Sequence, residues 1–110
     1  MLNLFQHLNS YTLHSMKTGY VYILASNPEG TLYIGVTSNL VQRIWQHKNK
    51  VVKGFTEKYH ADKLVHYEVY DDMSEAVKRE KQLKNWHREW KVNLIIDKNP
   101  KWNDLYASII

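Results

Sequence analysis

The chain contains no cysteine and no long apolar run. The missing cysteine excludes disulfides, thiolate zinc centres and thiol nucleophiles, and it leaves the redox compartment open. No stretch approaches the ~18–20 consecutive apolar residues of a membrane span, so no membrane partner is expected. The opening segment, MLNLFQHLNSYTLHSMK, lacks a basic leader followed by a solid apolar block and makes a poor signal peptide. A cytoplasmic location follows by default. Repeats and low-complexity segments are missing, as is any zinc finger or recognition helix that would read a base sequence. Charge of one sign is also in short supply. The net charge is +4 and the pI about 9.2, an excess that permits a polyanionic partner without requiring one.

What is present is a chain of 110 residues, 44% hydrophobic, with four Trp and eight Tyr. That length supports one modest core and therefore one domain. Residues 1–18 read as an N-terminal extension that can be disordered, with Met16 an alternative start. Residues 19–97 form the domain. Residues 98–110 form a tail whose Trp102, Leu105 and Tyr106 are expected to dock on it.

The stretch YVYILASNPEGTLYIG (20–35) reads as a β-hairpin. Two strand-like runs flank Asn27-Pro28-Glu29-Gly30, in which Pro sets φ and Gly is expected to supply a positive φ. Pairing 26 with 31 sets 24 opposite 33 and 22 opposite 35. Because strand side chains alternate, Tyr22, Leu24, Tyr33 and Gly35 share one face. Val21, Ile23, Leu32, Ile34 and Val36 share the other, which is cleanly apolar and is assigned to the core. Ser38 or Asn39 caps a helix over Leu40 to Lys48, with Leu40, Val41 and Ile44 as its buried side and Arg43 and His47 one turn apart. A basic loop with a short helical turn follows, then a strand over 64–70. Asp72 with Glu75 suggests a capping box for a helix from Ser74 to near Trp86, and a second helix spans Arg88 to Ile96. The apolar stripe of the first of these runs Ala76, 80, Leu83, and position 80 is Glu. A carboxylate on a core-facing stripe is unfavourable unless it is paired or bound. Periodicity alone leaves it either paired with Lys84 or Arg79 at the edge of the stripe, or holding a ligand.

Tyr20-Val21-Tyr22, Tyr33-Ile34-Gly35, Arg43, His47 and Glu80, in this order, resemble the GIY-YIG nuclease superfamily, also called the URI domain. Tyr22 stands eleven positions before Tyr33, Arg43 eight after Gly35, and Glu80 follows the third strand. More closely, the chain is similar to small stand-alone bacterial proteins of that superfamily, with counterparts from Gly19 to Tyr106, among them Gly54, Thr56 and Tyr59. The first motif has Tyr where the name-giving form has Gly. The polar residue usual just after the second motif is replaced by Val36-Thr37.

The resemblance implies an α+β fold, a three-stranded antiparallel sheet flanked by helices, and metal-dependent hydrolysis of a DNA phosphodiester. In that picture Glu80 holds one weakly bound Mg²⁺ or Mn²⁺ ion, since a single carboxylate with waters and a phosphate oxygen is a usual Mg²⁺ arrangement. Tyr33 is the general base; an unperturbed Tyr has a pKa of about 10 and so needs help from its surroundings. Tyr22 orients the water or the base, Arg43 contacts phosphate oxygens, and His47 shuttles a proton or binds phosphate. Gly35 lets the backbone or the phosphate approach closely. Lys48, Lys53, Lys58 and Lys84 are candidate phosphate contacts along a largely sequence-independent DNA path, in repair or processing, by a monomer. The alternatives are a non-catalytic nucleic-acid-binding module with the same fold and a partner-docking adaptor.

Overall fold

A computed structural model describes residues 17–28, 30–51 and 54–110. Residues 1–16 of the extension expected at 1–18, and the candidate contact Lys53, therefore lie outside the described residues.

Three antiparallel strands form one sheet in the order β2-β1-β3: β1 Gly19–Ala25, β2 Leu32–Thr37 and β3 Lys63–Tyr70. The hairpin register is the one the turn dictates, with Tyr22 opposite Gly35 and Leu24 opposite Tyr33. The turn reaches it differently. Gly30 does not take a positive φ. A Cβ there would meet the Ser26 and Asn27 side-chain oxygens at 2.3 Å, so a larger residue would have to turn these side chains aside, and Ser26 Oγ would give up the bond it accepts from the Thr31 N–H at 3.0 Å.

Both faces of the sheet are covered. On the Val21 face, β1 and β2 carry α3 (Met73–Asn85), and α4 (Arg88–Lys98) packs near β3. Val21, Ile23, Ile34, Val65, Ala76, Leu83, Ile95 and Trp102 are buried together there. The face bearing Tyr22, expected to be the hydroxylated outside, supports a second cluster of Tyr22, Leu24, Leu40, Ile44, Ala61 and Leu64. It is covered by α1 (Leu40–Lys48), with α2 (Phe55–Tyr59) and α5 (Tyr106–Ile109) close by. The alternation located one core correctly and missed the second, because Tyr22 buries its ring as an apolar group.

Asn39 caps α1 by accepting from the Gln42 N–H. Leu40 and Ile44 are buried as expected, whereas Val41 is exposed and His47 takes the remaining buried position. Asp72 caps α3 at the Ser74 N–H, but Glu75 pairs with Lys78 rather than reaching back, so the cap is single and not a box. The helix stops at Trp86, where extended backbone at Trp86 and His87 separates α3 from α4.

The tail is part of the body. Trp102 is only 6% exposed within the Val21-face core. Beyond it the chain passes along β3, where the Leu64 N–H donates to Asp104 and the Leu64 carbonyl accepts from the Leu105 N–H. Leu105, Tyr106 and Ile109 then pack on the other core. An edge strand with unpaired backbone invites pairing with other chains, and here the tail covers part of that edge.

Candidate active site

The site lies around the edge of β2. From one face come Tyr22, Tyr33, Arg43 and His47. From the helix on the opposite face comes Glu80. Tyr22 is 1% exposed, and its hydroxyl lies 2.9 Å from Nε2 of His47, itself 3% exposed. The Tyr33 ring closes over both, with centroids 6.3 Å from Tyr22 and 5.4 Å from His47. The positive Arg43 guanidinium sits near enough to the Tyr22 hydroxyl to favour its ionised form, and its Nη1 donates to Gln46 Oε1 at 3.3 Å.

Burial sets the protonation of this group. It pushes the Tyr22 phenol up to about 12, although Arg43 pulls the other way. Burial and the Arg43 charge together pull His47 down to about 4. Both are neutral near pH 7. Neither is exposed to solvent, so Tyr22 and His47 form a floor beneath Tyr33.

Gly35 serves this floor. A Cβ at position 35 would lie 2.3 Å from the Tyr22 hydroxyl oxygen. The space expected to admit a phosphate is filled by the ring of the cross-strand neighbour.

Successive residues of α3 diverge. Arg79 turns toward β3, where its Nε donates to Glu68 Oε1 at 2.8 Å. Glu80 turns toward β2; its charge acts on Tyr22, and its Oε2 pairs with Lys84 at 3.1 Å. Of the two partners that periodicity allowed for Glu80, Lys84 is the one used. Lys84 and Lys91 line an open cleft of about 240 Å³ together with Leu32, Tyr33 and Ile34. Among the described residues no group of three or more His, Cys, Asp or Glu could hold a metal. A lone carboxylate beside an open cleft fits a hard cation that keeps most of its ligands as water and phosphate; it does not fit zinc, which needs three or four protein donors.

The candidate phosphate contacts scatter. Lys84 is in the cleft. Lys58 is exposed and lies 5.4 Å from the Tyr59 ring centroid. Lys48 is turned into the tail, paired with Asp104, bonded to the Asp62 carbonyl and 5.3 Å from the Tyr106 ring centroid.

Two features escaped the sequence reading. Thr56, 4% exposed, bonds His47 Nδ1 through its Oγ1 at 3.0 Å. Glu68 gathers His66 Nε2 at 2.9 Å, the Tyr70 hydroxyl at 2.7 Å and Arg79. Burial raises the Glu68 pKa, but bonds from His66, Arg79 and Tyr70 outweigh it and hold the carboxyl at about 2. The spacing of 66, 68 and 70 on one strand face was the available signal.

A three-stranded antiparallel sheet flanked by helices, with the motif tyrosines near Arg43 of α1 and Glu80 of α3, defines a nuclease-type domain. Residues 18–93 match the model of the GIY-YIG catalytic domain, and the chain belongs to that family. It is similar to a UPF0213 protein of Syntrophus aciditrophicus, 39% identical over 78% of this chain and 98% of that one. A UPF0213 protein of Staphylococcus saprophyticus is 35% identical over 73% of this chain and 96% of the relative. The solution NMR structure of a UPF0213 protein from Bacillus halodurans superposes with a TM-score of 0.50 at 26% identity, covering 79% of this chain and 92% of that one. Among the described residues no helix is long and apolar enough to cross a membrane.

Proposed function

We propose that the chain is a divalent-metal-dependent endonuclease that hydrolyses DNA phosphodiester bonds with little sequence preference, in repair or processing. The supporting observation is the convergence of Tyr33, Arg43 and Glu80 around the β2 edge, beside a cleft that carries Lys84 and Lys91. Arg43 lies beside Tyr22, and its guanidinium donors suit phosphate oxygens whose charge grows toward the transition state. Tyr33 is the hydroxyl nearest the cleft and takes the proton of the attacking water. Glu80 holds Mg²⁺ or Mn²⁺, which when bound supplies charge neutralisation at phosphorus and at the leaving oxygen. Lys84 pairs with Glu80 and Lys91 lies beside it, and both are placed to bind flanking phosphates as point charges.

The test is cleavage of supercoiled plasmid and branched DNA with Mg²⁺ or Mn²⁺ by the wild type, Arg43→Ala and Glu80→Gln. Removing the arginine or the metal carboxylate is expected to cost at least ~10²-fold, as for other preorganised charge-stabilising groups. Equal cleavage by all three proteins would rule the assignment out. DNA binding with no cleavage by the wild type would replace it with a non-catalytic binding module.

A further inference from the structure

Behind Tyr33 a buried chain of polar groups, the Tyr22 hydroxyl, the His47 imidazole and the Thr56 hydroxyl, leads to the half-buried Arg43. The Tyr22 to His47 Nε2 and His47 Nδ1 to Thr56 distances are 2.9 and 3.0 Å. Tyr22, His47 and Thr56 are each 4% exposed or less, so water cannot stand in for a missing partner, and an unmet polar group here would be costly. The chain can be ordered in two directions. In one, Thr56 donates to Nδ1, the Nε2–H donates to the Tyr22 oxygen, and the Tyr22 proton is turned toward Arg43. In the other, Tyr22 donates to Nε2, and Nδ1–H donates to Thr56.

Arginine decides between them. A guanidinium has five donors and no acceptor. The positive guanidinium beside Tyr22 repels a hydroxyl proton turned toward it, so the oxygen faces the arginine and the proton goes to the His47 nitrogen 2.9 Å away. The ring then carries its proton on Nδ1 and needs an acceptor there, which Thr56 provides from α2, outside both motif strands. Thr56 is one of the positions matched by the family resemblance, and the catalytic scheme leaves it without a role.

We propose that Thr56 is a positioning residue: by accepting from Nδ1–H it holds His47 in the Nδ1–H form, aims the Tyr22 proton inward and leaves the Tyr22 oxygen as the seat for Arg43. The partner of the distal imidazole nitrogen sets the ring's tautomer and orientation in other histidine sites as well. For catalysis the inference rests on the reading that Arg43 serves a phosphodiester; the tautomer itself does not depend on that reading.

Two measurements test it on the whole chain. Nitrogen-15 NMR of the imidazoles, with the His47 signals assigned by their loss in His47→Gln, is expected to show a protonated Nδ1 and a bare Nε2 at pH 7. Thr56→Val keeps the shape and removes the acceptor; His47 signals are expected to move toward the Nε2–H form, and DNA cleavage to fall ~10–100-fold, the range for lost second-layer partners of functional histidines. Thr56→Ser is expected to restore both. A wild-type His47 already in the Nε2–H form overturns the inference. So does a Thr56→Val protein whose ring signals are unchanged, or, where the wild type cleaves, one with wild-type cleavage. If the wild type cuts no DNA, the proposed activity fails while the NMR result still decides the tautomer.

Discussion

Gly35 and Tyr22 act as one unit. The tyrosine ring lies across the glycine, so the second motif needs its glycine because the first motif has its tyrosine. Covering a strand glycine with a cross-strand aromatic is a known stabilising device. In Gly35→Ala the new Cβ would lie 2.4 Å from the ring carbon that bears the hydroxyl. The ring must move, and it takes the His47 bond with it. Overpacking of this kind costs ~1–3 kcal/mol. The expected result is a clear fall in the urea midpoint of Gly35→Ala with an unchanged m-value. Tyr22→Phe is expected to cost a similar ~1–3 kcal/mol by another route, because it leaves the buried His47 Nε2 without its partner. A Gly35→Ala protein as stable as the wild type would show that the ring does not rest there. At this scale the sequence was partly legible. The motif spacing identified Tyr22, Gly35 and His47 as a group; that Tyr22 and His47 lie buried beneath the Tyr33 ring follows from packing that the spacing does not encode.

At the scale of elements, strand register and helix positions were readable because they follow from local rules: a turn of known length, alternation, and caps at Asn39 and Asp72. What covers each face was not readable, because that depends on segments far apart in sequence. The aromatic residues beyond 98 signal docking but not onto which core; Trp102 fills the same core as Val21 and Leu83, and it does so with φ at +56°. A bulky residue in that left-handed region is strained, and burial of the indole offsets the cost. Asn99 fixes the corner by donating to the Val65 and Asn103 carbonyls. Trp102→Ala is therefore expected to destabilise the domain by ~3–5 kcal/mol, the usual range for a buried Trp lost to Ala, as read by denaturant unfolding. A loss below about 1 kcal/mol, the level of a typical surface change, would mean the tail is dispensable. The Glu68 cluster belongs to this scale too, since it ties α3 to β3 through Arg79 and so fixes the helix that carries Glu80.

For the molecule as a whole, the two buried polar groups give stability a pH dependence in two stages. His47 has an ordinary value of 6.5 and sits near 4 in the folded chain, mainly through burial. Between those values the unfolded chain binds the proton more readily, so stability falls as pH drops from 6.5 toward 4, by about 3 kcal/mol in all. Glu68 goes from 4.5 to about 2 because His66, Arg79 and Tyr70 overcome its burial. Its contribution, also about 3 kcal/mol, is complete above 4.5 and is lost as pH falls toward 2. Asp104 is lowered as well, burial being outweighed by the Lys48 bond and backbone N–H groups, and it adds to the lower stage. Domains of this size are stable by ~5–15 kcal/mol, and by pH 3 the two stages together remove about 5 kcal/mol, enough to unfold a chain at the lower end of that range. Urea melts from pH 8 to 3 should show a first decline that His47→Gln removes and a second that Glu68→Gln reduces. A wild-type profile that is flat between pH 7 and 4, or an upper limb that survives in His47→Gln, would mean that His47 is not held neutral between Tyr22 and Thr56.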